Sequence, residues 1–191
     1  PGVRSRVLLR GLQSKWGTQS IEGKVCIMPD FEEGGAREVT LKINGDEFCM
    51  VIEPRESLRE VLHDRLGFTG TKEMCDRGAC GSCTVIMDGR PVVSCMVLAV
   101  EAGGHDIETV EDIERKQHPL IEAYADHNAM QCGYCTPGFV VTAKALLDRN
   151  PDPDEEAIKS ALEGNICRCG TYPAHVWAIQ AAANRLKTRE A

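Results

Sequence analysis

The sequence predicts an α+β protein: a small mixed sheet crossed by one helix, followed by four helices. Three observations carry this reading. From Val39 onward, apolar and polar residues alternate around two tight-turn dipeptides, Asn44-Gly45 and Asp88-Gly89. From about Ile113 the texture is helical instead. The cysteines also sort by half, with four clustered in each.

Residues 1–37 have no clear periodicity and are taken as an N-terminal extension. The β half spans 38–112. "VTLKI" and "EFCMVI" alternate on either side of the Asn44-Gly45 turn. "ESLREVLHDRLG" follows as a helix. Ser57 and Glu60 form a capping box, Leu58, Val61, Leu62 and Leu66 share a face, and Gly67 stands where a helix terminates. After a Gly- and Cys-rich loop, "TVIMDGRPVVSCMVLAV" reads as a second hairpin, and "HDIETV" as one more short strand. The helical half spans 113–191, with helices expected near 119–128, 137–149, 154–163 and 173–188. Asp154 caps the third, Gly164 ends it, and Pro173 sits at a first helical position.

The composition narrows the function. With 191 residues and 42% apolar content the chain can bury real cores. A net charge of −7 argues against a nucleic-acid partner. No apolar run reaches membrane-spanning length. The N-terminus lacks a signal-peptide pattern, so a cytoplasmic protein is expected, with export alongside a partner left open. Neither GxGxxG nor a P-loop appears, and no nucleophile–base arrangement stands out. The chain alone is therefore expected to catalyse nothing on an organic substrate.

Ten cysteines is a high count. In "CDRGACGSC", Cys75, Cys80 and Cys83 are joined by Cys95 further on, a C-x4-C-x2-C-x11-C spacing. Its first three positions match the plant-type [2Fe–2S] pattern. One tight loop can deliver three thiolates. Gly78 and Gly81 let it curl so that backbone N–H groups face the sulfurs, and Cys95 closes the site from the neighbouring strand. In the helical half Cys132, Cys135, Cys167 and Cys169 form CxxC…CxC. By itself this spacing leaves iron–sulfur and zinc equally open. Both pairs precede helix starts, whose dipoles favour thiolates. The first set tips the balance toward iron, because paired centres make an electron path. Cys49 reads as a buried small residue and Cys26 as a free thiol in the extension. His63, His105, His118, His127 and His175 show no paired spacing and read as surface or satisfied histidines.

Taken together, "TGTKEMCDRGACGSCTV", "QCGYCTPG" and "GNICRCGTY", in this order and spacing, resemble the iron–sulfur subunit of the xanthine oxidase (molybdenum hydroxylase) family over about residues 38–188. The resemblance implies a β-grasp ferredoxin-like domain followed by an all-α four-helix-bundle domain. It implies one [2Fe–2S] cluster on Cys75, Cys80, Cys83 and Cys95 and a second on Cys132, Cys135, Cys167 and Cys169. It also implies a large partner subunit holding a molybdopterin cofactor, approached by Gln131 and Cys169. Electrons would pass from molybdenum through the helical-half centre to the other, then to an FAD-bearing flavin subunit or another acceptor. Many members read Thr-Gly-Tyr after the CxC, where this chain has Gly170-Thr171-Tyr172. Two alternatives stand beside this reading: a free-standing two-cluster ferredoxin and a zinc-stabilised binding module.

Overall fold

The computed structural model describes residues 17–21, 24–28 and 35–190, the first two segments and residue 190 as backbone only. Seven strands form one mixed sheet among the described residues. They are β1 (Gly17–Ile21), β2 (Lys24–Met28), β3 (Arg37–Ile43), β4 (Asp46–Ile52), β5 (Thr84–Met87), β6 (Arg90–Val93) and β7 (Asp106–Glu108). Their order is β1-β2-β4-β3-β7-β5-β6, with β2∥β4 and β3∥β7 parallel and the other neighbours antiparallel.

Both Asx-Gly turns are of the mirror-image type that matches strand twist, with φ of 55° and 86° at Asn44-Gly45 and 49° and 76° at Asp88-Gly89. The crossing helix starts as α1 (Leu58–Glu60) and continues as a wider turn (Val61–Arg65). Its capping box is formed, and Leu58, Val61 and Leu62 are fully buried. They pack with Leu41, Ile43, Met50, Ile52 and Val85 into a core beneath the sheet.

A short helix, α2 (Val110–Arg115), leads into α3 (Pro119–Asp126), α4 (Thr136–Arg149), α5 (Glu155–Leu162) and α6 (Tyr172–Glu190). The last four lie where the sequence places helices, and Asp154 caps α5 by accepting from the Ala157 N–H at 2.7 Å. Tyr124, Phe139, Val140, Ile158, Ile179 and Ala182 fill a second core between them. β5 joins the two cores. Thr84, Val85 and Ile86 are all buried; Val85 belongs to the sheet core and Ile86 to the helical core. A strand covered on both faces shows such an unbroken buried run.

Three features differ from the sequence reading. β1 and β2 pair antiparallel and extend the sheet at β4, in a stretch where no periodicity was legible. The second hairpin ends at Val93, and 94–101 form two helical turns, Ser94–Met96 and Ala99–Glu101. Cys95 therefore approaches from a turn after β6, not from a strand. Ser94 explains the break: it is fully buried, and its hydroxyl donates to the Cys83 carbonyl at 2.7 Å, which turns the chain inward. Finally, α2 occupies residues the sequence left as a connection.

Candidate metal centres

Three cysteines of the first set, Cys75, Cys80 and Cys83, lie on the loop between the crossing helix and β5, and Cys95 joins them from the Ser94–Met96 turn after β6. Asp76, Gly78 and Gly81 adopt φ of 49°, 74° and 71°, so the chain folds back on itself. The loop is closed by the Lys72 N–H on the Ser82 carbonyl (3.2 Å) and by the Thr84 hydroxyl on the Gly81 carbonyl (2.6 Å). The curl aims backbone donors at sulfur: the Ala79 N–H donates to Cys75 Sγ and the Gly78 N–H to Cys95 Sγ, both at 3.3 Å. Cys80 and Cys83 are buried, Cys75 and Cys95 half-buried.

The electrostatics suit thiolates unevenly. Burial pushes the Cys75 thiol up, but the Arg77, Ala79 and Cys80 N–H groups and the Cys80 thiol outweigh it and bring it down to about 7. Burial, together with Cys83 beside it, raises Cys95 to about 11 despite the Gly78 N–H. The sulfurs are thus close enough to exchange hydrogen bonds and to oppose one another's charge. A soft cation that neutralises several thiolates at once resolves that conflict.

The second set forms where two helices begin. Cys135 occupies the N-cap of α4, and Cys167 and Cys169 precede α6. Cys135 and Cys167 are buried, whereas Cys132 and Cys169 are exposed. The thiols pair accordingly, Cys132 with Cys169 and Cys135 with Cys167. Burial and the neighbouring Cys167 drive Cys135 up to about 12. Burial also opposes ionisation of Cys167, yet the Thr171 hydroxyl, the Thr171 and Gly170 N–H groups and the Cys135 thiol bring it down to about 7. Gln131 is exposed beside Cys132, at the same outer end as Cys169.

His175 is a satisfied histidine at one nitrogen only. It is fully buried, one turn into α6, and its ring stacks on Phe139 at 3.9 Å with planes 5° apart. Its Nε2 lies 3.0 Å from the Thr171 hydroxyl, which lies 3.2 Å from Cys167 Sγ. A ring nitrogen of His175 and the sulfurs of Cys135 and Cys167 fall within 4.8 Å of one another. Its Nδ1 has no hydrogen-bond partner, and burial lowers the imidazole to about 4, so it stays neutral. The Thr171–His175 spacing of one helical turn behind a CxC was the signal available in the sequence. The sequence reading of Cys49 holds as to burial; its Sγ also lies 3.2 Å from Glu38 Oε1. The side chain of Cys26 lies outside the described residues.

The two loops touch. The Ile166 N–H donates to the Cys80 carbonyl at 2.9 Å, and Asn165 Nδ2 donates to the Gly81 carbonyl at 3.2 Å. The Tyr134 hydroxyl donates to the Glu73 carbonyl. A residue next to a second-set cysteine is thus hydrogen-bonded to a first-set cysteine.

Residues 109–180 match a family described as [2Fe-2S] binding domain. The chain is 45% identical over 136 residues to the nicotinate dehydrogenase small FeS subunit of Eubacterium barkeri, covering 70% of this chain and 87% of that protein. It is 41% identical over 150 residues to the nicotine 6-hydroxylase small subunit of Paenarthrobacter nicotinovorans, covering 78% and 91%. Its fold is similar to a chain of quinoline 2-oxidoreductase from Pseudomonas putida 86, with a TM-score of 0.77 and 38% identity over 83% of this chain and all of that one.

Proposed function

The chain belongs to the iron–sulfur small subunits of the molybdenum hydroxylase (xanthine oxidase) family, and from that membership we propose that it is the electron-transfer subunit of such a complex. In this reading Cys75, Cys80, Cys83 and Cys95 hold one [2Fe–2S] cluster. Cys132, Cys135, Cys167 and Cys169 hold a second. Each cluster supplies reversible one-electron storage. Residues 38–112 act as the β-grasp ferredoxin-like domain and 113–191 as the helical one. Gln131 and Cys169, on the exposed outer end, face the molybdopterin cofactor of a large partner subunit. Electrons leave from the first set to a flavin subunit carrying FAD or to another acceptor.

The observation that carries this reading is the direct contact of the two cysteine loops through Ile166 and Cys80. Two metal sites with purely structural roles would not require their ligand loops to be bonded together. A relay needs its centres close together, because electron transfer falls off steeply with separation, and bonded loops hold them close.

A permanent partner is favoured over a free-standing ferredoxin by what surrounds the outer pair. Met130, Tyr134, Ile166 and Tyr172 are each exposed by 43–44%, and Trp177 by 56%. Ile166, Tyr172 and Trp177 line one groove, and a shared apolar surface of this kind marks a contact face.

The test is iron, acid-labile sulfide and zinc per chain on anaerobically purified protein, with EPR after dithionite reduction. About four irons and four sulfides with two distinct signals is the expected result for two [2Fe–2S] centres. About two irons with zinc would leave one centre on a zinc-held helical half and refute the relay.

A further inference from the structure

Besides the packing of the His175 ring on Phe139 and Tyr124, the buried chain Cys167–Thr171–His175 is hydrogen-bonded in series, and each of its groups has a defined proton requirement. A metal-bound cysteine is a thiolate and can only accept a hydrogen bond. The Thr171 hydroxyl, 3.2 Å from Cys167 Sγ, must then donate its single proton to the sulfur. That leaves the hydroxyl oxygen as the acceptor toward His175 Nε2 at 3.0 Å, so Nε2 carries the hydrogen. In the neutral ring Nδ1 is then a bare lone pair; it has no hydrogen-bond partner of either kind. The ring cannot swing away, because it is wedged against Phe139 at 3.9 Å and Tyr124 at 5.5 Å.

We propose that Thr171 and His175 are positioning residues for the second centre: the Thr171 hydroxyl donates to the Cys167 sulfur, and the His175 Nε2–H locks that hydroxyl in the donating orientation. This rests on the reading of Cys167 as a cluster ligand. A hydrogen bond to a ligand sulfur stabilises the electron-rich reduced form and so raises the reduction potential. Gly170-Thr171-Tyr172 places the hydroxyl one residue later than Thr-Gly-Tyr would, one helical turn before His175 and on the same face.

The experiment is an EPR-monitored redox titration of the complex purified with the full chain. It compares wild type with Thr171→Val, Thr171→Ser and His175→Leu. Val keeps the shape of Thr and removes only the hydroxyl. The expected result is a lower midpoint for the second centre in Thr171→Val, an unmoved first centre, and a return to the wild-type value in Thr171→Ser. His175→Leu should keep the second signal and shift it in the same direction by less. An unchanged second midpoint in Thr171→Val overturns the inference alone. Selective loss of the second signal in His175→Leu, with iron lost from that site, also overturns it, since His175 would then be a ligand. A wild-type complex with no second iron–sulfur signal overturns both the inference and the proposed function.

Discussion

At the scale of single residues, charge and space around the first cysteine loop decide its stability. Arg59 is buried on the crossing helix, yet its guanidinium reaches Asp64 (3.0 Å), Glu73 (2.9 Å) and Asp76 (3.3 Å). Glu73 and Asp76 belong to the loop itself and flank Met74 and Cys75. Burial opposes the charge on Arg59, but the three carboxylates outweigh it and raise its pKa. Arg59 thus neutralises acids that would otherwise repel one another and any thiolate-bound cluster. The carboxylates are about half exposed and can hydrate when the partner is removed, so the cost lies below that of a fully buried pair. Arg59→Met is expected to destabilise the chain by about 1–3 kcal/mol. It should also lower iron occupancy at the first site while sparing the second. Denaturant titration and site-resolved EPR intensities check both halves of this prediction.

At the scale of elements, α4 owes its seat to a missing side chain. Gly138, in its first turn, lies so close to the loop that a Cβ would stand 2.3 Å from the Gly81 carbonyl oxygen. In an exposed helix Gly→Ala gains about 0.5–1 kcal/mol. Here the neighbour is backbone and cannot step aside, and overpacking costs about 1–3 kcal/mol. Gly138→Ala is therefore expected to destabilise and to push the helix off the loop. Weakened magnetic interaction between the two reduced centres, alongside a lower midpoint of unfolding, would report that separation. The crossing helix offers a milder test. Its Ser57 side chain accepts from the Glu60 N–H, and the Glu60 carboxylate accepts from the Ser57 N–H at 2.7 Å. Ser57→Ala should cost about 1 kcal/mol without moving either cluster signal. If it strips iron from the first site, the helix and the loop are more tightly coupled than their contacts suggest.

At the scale of the whole molecule, what was legible in the sequence is what is written locally. The Asn44-Gly45 and Asp88-Gly89 turns, the capping box and the Asp154 cap each lie within a few residues, and each lies where it was expected. What escaped depends on distant partners. β2 joins the sheet by pairing with β4, 23 residues away in register at Cys26 and Cys49. α2 has six residues, too few for periodicity to speak. The burial of His175 follows from Phe139 and Tyr124 on other helices. Even the helical half's exposed face is a property of the assembled molecule. Ile166, Tyr172 and Trp177 come from a loop and a helix and gather around a groove also lined by Leu162, Pro173 and Val176. Were this face bare in the working protein, an indole more than half exposed would be an aggregation hazard with no return. Under the proposed function it is covered by the large subunit, and large aromatics at such centres dominate binding. Trp177→Glu is expected to cost at least about 2 kcal/mol of assembly energy, roughly a thirtyfold weaker complex. The chain's own iron content and both EPR signals should persist, because Trp177 is 56% exposed. Quantitative co-purification with the large subunit, read against cluster content, is the measurement. Undiminished assembly would move the contact face elsewhere, and loss of iron together with assembly would mean that Trp177 supports the helical core instead.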